Sequence, residues 1–92
     1  MATYLVERYL PGLSVEELAL TAARAASATA DLAAEGVPIR YLGSTLLPAD
    51  EACLCCFEAE SAAVVAAANE RAGMPFARVV EAHRTNSRGA RM

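Results

Sequence analysis

Ile39-Arg40-Tyr41-Leu42-Gly43-Ser44-Thr45-Leu46-Leu47, then Pro48-Ala49-Asp50-Glu51, then Ala52-Cys53-Leu54-Cys55-Cys56-Phe57-Glu58: two apolar-rich runs flank four residues of turn chemistry. The pattern predicts an antiparallel hairpin with strands at 39–47 and 52–58. Pro38 precedes it; with no N–H to give a ladder, proline fits only an edge or the start of a strand. Upstream, Ser14 stands three residues before Glu17, the capping-box spacing, and Glu16 and Glu17 occupy a first turn whose partial positive charge favours them. This predicts a helix from about Val15 to Glu35, with Leu18, Ala22, Ala25 and Leu32 on one face and Gly36 in the left-handed position after the last turn. Before it, Thr3–Tyr9 reads as a strand that Pro11-Gly12 breaks.

Downstream of the hairpin, Ser61 is placed to cap a second helix over 62–72, whose inner face carries Val65, Ala68 and Ala72. Gly73 ends it, Pro75 prevents continuation, and Phe76–His83 forms the last strand. The order is βαββαβ, the ferredoxin-like split βαβ pattern of an α+β domain. Right-handed crossovers then give a sheet ordered 4-1-3-2, all neighbours antiparallel, with both helices on one face. One domain, 1–83, accounts for the chain, and 84–92 is a loose polar tail with three arginines.

Composition narrows the function. The 92 residues include 22 alanines and no Trp, and all eight basic residues are Arg. A formal charge of −3 argues against a general nucleic-acid binder, which needs a basic stripe. The length excludes Rossmann and TIM-barrel enzymes. The Ala-rich stretch 19–34 carries Arg24 and Asp31 and falls short of the ~20 apolar residues that span a bilayer. The first residues lack the basic and apolar regions of a signal peptide, and three cysteines within four positions have no distant partner for a disulfide, so a reducing, cytoplasmic location is expected.

Period-two alternation sorts the strands into two faces. The helix-facing set is expected to be Val6; Leu42, Ser44 and Leu46; Cys53, Cys55 and Phe57; and Val80 and Ala82. The opposite set is Leu5, Glu7 and Tyr9; Tyr41, Gly43 and Thr45; Leu54, Cys56 and Glu58; and Val79, Glu81 and His83. An uncovered face with so much apolar surface seldom stays bare, and a two-fold homodimer through the sheets is the commonest cover.

On that second face Glu7, Glu58, Glu81 and His83 are the candidate metal ligands, because carboxylate oxygen and imidazole nitrogen together suit a divalent first-row ion. The plainer reading is strand-end carboxylates, solvated or paired with Arg8, Arg40 or Arg84, and a surface histidine. Cys53, Cys55 and Cys56 read first as core packing; a soft-metal thiolate site is the weaker alternative, since their spacing is not that of a zinc knuckle. No glycine-rich phosphate loop or nucleophile motif is present.

Several short stretches together resemble a known family. Tyr4-Leu5-Val6-Glu7-Arg8, Ile39-Arg40-Tyr41-Leu42-Gly43-Ser44, Cys55-Cys56-Phe57-Glu58-Ala59, Ala72-Gly73-Met74-Pro75 and Arg78-Val79-Val80-Glu81 are similar to the motifs of a small bacterial nickel-binding family of ferredoxin-like fold, in order and over 3–83. The resemblance implies a homodimeric protein that binds nickel or another divalent transition metal, without established catalysis. Glu7, Glu58 and Glu81 match acidic positions of the pattern; Gly43 departs from it where many members carry histidine. The alternative, by architectural analogy alone, is a small dimeric α+β barrel enzyme of cyclase, monooxygenase or isomerase type. There Tyr41, Tyr9 and the cysteine row line a hydrophobic pocket, with Glu7 or His83 as acid–base. A third possibility is an interaction module using the open sheet face.

Overall fold

A computed structural model of the chain describes residues 1–12 and 14–85. The elements run β1 (Ala2–Tyr9), α1 (Val15–Ala34), β2 (Ile39–Leu47), β3 (Ala52–Ala59), α2 (Ala62–Arg71) and β4 (Arg78–Ala82), with a 3₁₀ turn at Pro48–Asp50. The sheet order is β2-β3-β1-β4, the expected 4-1-3-2 read from the other edge, and every neighbouring pair is antiparallel. Most of the expected tail, 86–92, lies outside the described residues. No described helix is long and apolar enough to cross a membrane.

Local chemistry sets the boundaries. The Ser14 hydroxyl accepts the Glu17 N–H at 3.1 Å, and the Ser61 hydroxyl accepts that of Val64 at 3.3 Å. Each satisfies one orphan donor of a first turn. At the end of α1, Gly36 takes φ +89, and the Val37 N–H returns to the Leu32 carbonyl at 3.0 Å. Glu51 closes the hairpin in the left-handed region (φ 49, ψ 40) after the turn.

The core lies between the sheet and the two helices. Tyr4 and Val6 of β1, Cys53, Cys55, Phe57 and Ala59 of β3, and Ile39 of β2 meet Ala25 of α1 and Val65 and Ala68 of α2. The helices contribute alanine at the contact, so they come close to the strands, and Phe57 and Val65 fill the middle. The inward row of β1 runs Tyr4, Val6, Arg8, and the arginine is as buried as its neighbours at 2% exposure.

Two face assignments differ from the expectation. In β2, Tyr41 pairs with Phe57 and Gly43 pairs with Cys56, so Leu42 is an extra residue in a β-bulge. The bulge changes the phase: Ile39 and Tyr41 face the helices, Leu42 turns to the open face, and Ser44 and Leu46 are again inward, opposite Cys55 and Cys53. Gly43 makes this possible by adopting φ +133, which side-chain-bearing residues rarely take. Its added Cβ would meet nothing within 4 Å, so the whole cost of Gly43→Ala is backbone strain. That substitution is expected to lower the unfolding free energy by about 1–2 kcal/mol in urea titration, and a neutral result would mean that the bulge relaxes freely.

In β4, Val6 pairs with Val79 and Tyr4 with Glu81, which places Val79 and Glu81 on the helix side and Val80 and Ala82 on the open side. This is the opposite of the expected assignment, because Val79-Val80 is an apolar pair of equal size, which gives alternation no phase. The strand also begins at Arg78 rather than Phe76; the Ala77 N–H donates to the Glu7 carbonyl at 2.7 Å and fixes that register.

Candidate functional site

The four carboxylate and histidine positions divide into three separate places. Glu7 lies on the open face, where Arg78 Nε donates to its Oε1 at 3.2 Å and the Tyr9 hydroxyl approaches the same atom at 3.5 Å. Glu58 lies on that face too, but pairs with Thr3, four residues along β1 from Glu7. Its Oε1 accepts from Arg40 Nη1 at 3.0 Å. Both carboxylates are therefore neutralised by guanidinium groups, Glu58 by one of those expected. Glu81 and His83 stand on the other side of β4, an edge strand, with His83 Nε2 3.1 Å from Glu81 Oε2. Both are exposed, and among the described residues no arginine engages either.

The chain thus brings together only one nitrogen and one oxygen donor from the expected set. Among the described residues, no group of three or more His, Cys, Asp or Glu side chains is placed to hold a metal. The pair fits part of a divalent-ion site in donor chemistry, since borderline ions accept imidazole and carboxylate together.

The pocket expected for an enzyme reading is also divided by the sheet. Tyr41 stacks on Phe57 inside the core, ring centroids 5.4 Å apart at 49°. Tyr9 and Glu7 are on the opposite face. Cys53 and Cys55 are fully buried toward the helices, their sulfurs 3.9 Å apart. The Ser44 hydroxyl donates to Cys55 Sγ at 3.0 Å and is itself bonded to the Tyr41 hydroxyl. Burial, with Cys55 beside it, pushes the Cys53 thiol up to about 11, so it stays a neutral thiol at physiological pH. Burial likewise raises the Tyr41 hydroxyl, against the lowering effect of its Ser44 hydrogen bond. These groups pack as core.

The open face carries Leu5, Leu42, Leu54 and Cys56 around a shallow groove of about 330 Å³, with Arg84 at its edge. Arg84 Nη1 is 3.9 Å from Cys56 Sγ. Gly43 lies within this surface, opposite Cys56.

One buried polar site escaped the sequence reading. Arg8, whose alternation with Val6 already pointed it inward, donates through Nη1 to the Met74 and Pro75 carbonyls at 3.2 and 3.1 Å, and through Nη2 to Asn69 Oδ1. Asn69 in turn donates to the Val65 carbonyl at 2.8 Å. The arginine thereby gathers the chain leaving α2, whose terminal carbonyls carry partial negative charge.

A family model described as "Nickel responsive protein SCO4226-like" matches residues 4–82. The chain belongs to this family. No curated protein matches it significantly. Among solved structures, the crystal structure of SCO4226 from Streptomyces coelicolor A3(2) is similar, with a TM-score of 0.70 and 23% identity over 92% of this chain and 100% of that one. At that identity the likeness establishes the shared fold. The family match runs from the third residue of β1 to the last residue of β4, so it includes Glu7, Glu58 and Glu81 and stops one residue short of His83.

Proposed function

We propose that this member of the nickel-responsive family binds nickel, or a divalent ion of similar preference, as a homodimer. The observation that carries the reading is the Glu81–His83 pair: an imidazole nitrogen and a carboxylate oxygen 3.1 Å apart, exposed, and, among the described residues, without a guanidinium partner of the kind that Glu7 and Glu58 have. A metal would take the place of the hydrogen between Nε2 and Oε2, with water or donors from a second copy filling the remaining positions. Affinity then falls in acid, because the imidazole must give up its proton to bind. Gly43 gives the open face no imidazole, so within this reading the nitrogen donor is His83, beyond the edge strand β4. The leucines of the open face supply the apolar surface that a sheet-to-sheet dimer would cover.

The test is calorimetric titration of chelator-treated protein with nickel, zinc, cobalt and copper, with the mass read in parallel by light scattering. Nickel binding is expected in the parent and in Glu7→Gln, and weakened at least about tenfold in His83→Ala, which loses the only nitrogen donor of the pair. No heat above dilution for any of the four ions would end the metal reading. Unchanged nickel affinity in His83→Ala would move the site elsewhere. A mass of 9.6 kDa at high micromolar concentration would remove the dimer.

A further inference from the structure

We propose that one nickel ion is shared by two copies of this chain, each giving Glu81 and His83 at the edge of β4, so that the metal itself drives their association. The proposal rests on the Glu81–His83 reading above and adds to it the source of the missing ligands. The two residues stand two positions apart in extended chain, a spacing that turns both side chains to one side. His83 Nε2 thereby comes within 3.1 Å of Glu81 Oε2. Both side chains reach solvent, at 81% and 55% exposure, so an ion can approach them freely.

Donor counting points to a second copy. A divalent first-row ion takes about four to six ligands, and the pair supplies one nitrogen and one oxygen. Among the described residues no third His, Cys, Asp or Glu joins them. The other candidate carboxylates cannot complete the set: Glu7 and Glu58 project from the open face, each held by an arginine, whereas Glu81 lies on the opposite side of β4. A two-fold contact brings the same residues together from both copies. It doubles the set to two imidazole nitrogens and two carboxylates, whose negative charges balance those of the ion.

Position and charge make the association depend on the metal. β4 is a margin of the sheet, paired with β1 on one side and with no strand on the other, so a second copy has access to it. Without the ion that approach is opposed, because each chain carries a formal charge of −3 and two carboxylates at close range repel. A divalent cation between them reverses the sign of the interaction. The contact joins side chains and needs no backbone ladder. It also uses a different surface from the leucines of the open face, so an association through that face and one through the ion can coexist.

The test is light scattering on the whole, chelator-treated chain during titration with nickel chloride, with the stoichiometry read by calorimetry. Binding is expected to saturate at one ion per two chains, while the mass rises about twofold over its metal-free value and returns when EDTA is added. His83→Ala and Glu81→Gln change exposed side chains, so both should keep the parent's fold, checked by circular dichroism, and lose the nickel-dependent rise in mass. Glu7→Gln, on the open face, should assemble as the parent does. One ion per chain with an unchanged mass would overturn the shared site and leave the nickel reading standing, with water completing the coordination. A mass rise that persists in His83→Ala would overturn it too, since the bridge would then lie elsewhere. No nickel heat at all would remove both the shared site and the reading beneath it.

Discussion

Replacing Arg8 by alanine is expected to remove about 4 kcal/mol of stability, a large share of the ~5–15 kcal/mol that holds a domain of this size. The substitution strips Asn69 Oδ1 and the Met74 and Pro75 carbonyls of their donor at once. A buried acceptor left unpaired costs ~1–3 kcal/mol, and the vacated volume adds to that. The segment after α2 would then lose the tie that holds it against β1. The measurement is urea unfolding, where a slope of ~1–1.5 kcal/mol per molar translates the loss into a midpoint lower by about 3 M. Arg8→Lys keeps the charge but cannot span three acceptors with a planar fork, and should fall between the two. A midpoint shift below about 0.5 M for Arg8→Ala would mean that these acceptors find water and that Arg8 contributes little to the fold.

Phe57→Ala is the second large effect. The ring is fully buried on a central strand, packs on Tyr41 and lies in one cluster with Tyr4, Val6 and Val65. With small alanines on both helices, few neighbours are long enough to collapse into the space. The expected loss is ~3–5 kcal/mol. At roughly 4–8 °C per kcal/mol, the melting temperature should drop by at least about 12 °C. Phe76→Ala provides the contrast, because Phe76 is only half-buried against the same cluster and should cost clearly less. Equal drops for the two would show that the packing is loose enough to fill either gap.

The backbone plan was legible because each boundary carries its own chemistry. Ser14 and Ser61 cap, Gly36 and Gly73 terminate, and the Pro48–Glu51 turn leaves the hairpin no other register. The candidate site was less legible, since it depended on which side of the sheet each residue faces. Gly43 inside an apolar run is the visible mark of the bulge that simple alternation passes over. Val79-Val80 carried no mark at all; only the pairing of Ala77 with Glu7 sets their phase. One residue of slip there moved Glu81 and His83 away from Glu7 and Glu58 and dissolved the expected four-residue cluster. Arg8 differs for the opposite reason: it is expected among the partners of the open-face carboxylates, but its alternation with Val6 turns it inward, onto Asn69 and the Met74 and Pro75 carbonyls.

The bulge at Leu42–Gly43 also bears on how the protein behaves in a crowded solution. β2 and β4 are the sheet's two margins, and a margin with unpaired amides invites a foreign strand to add to it. The bulge breaks the regular spacing of donors and acceptors along β2, and β4 is only five residues long and begins with a charged residue. Neither margin can template a long continuous ladder, so runaway fibre-like growth is disfavoured at both ends of the sheet. A chain that is more than half apolar can thus present a leucine-bearing face for pairing without also offering its edge strands for aggregation.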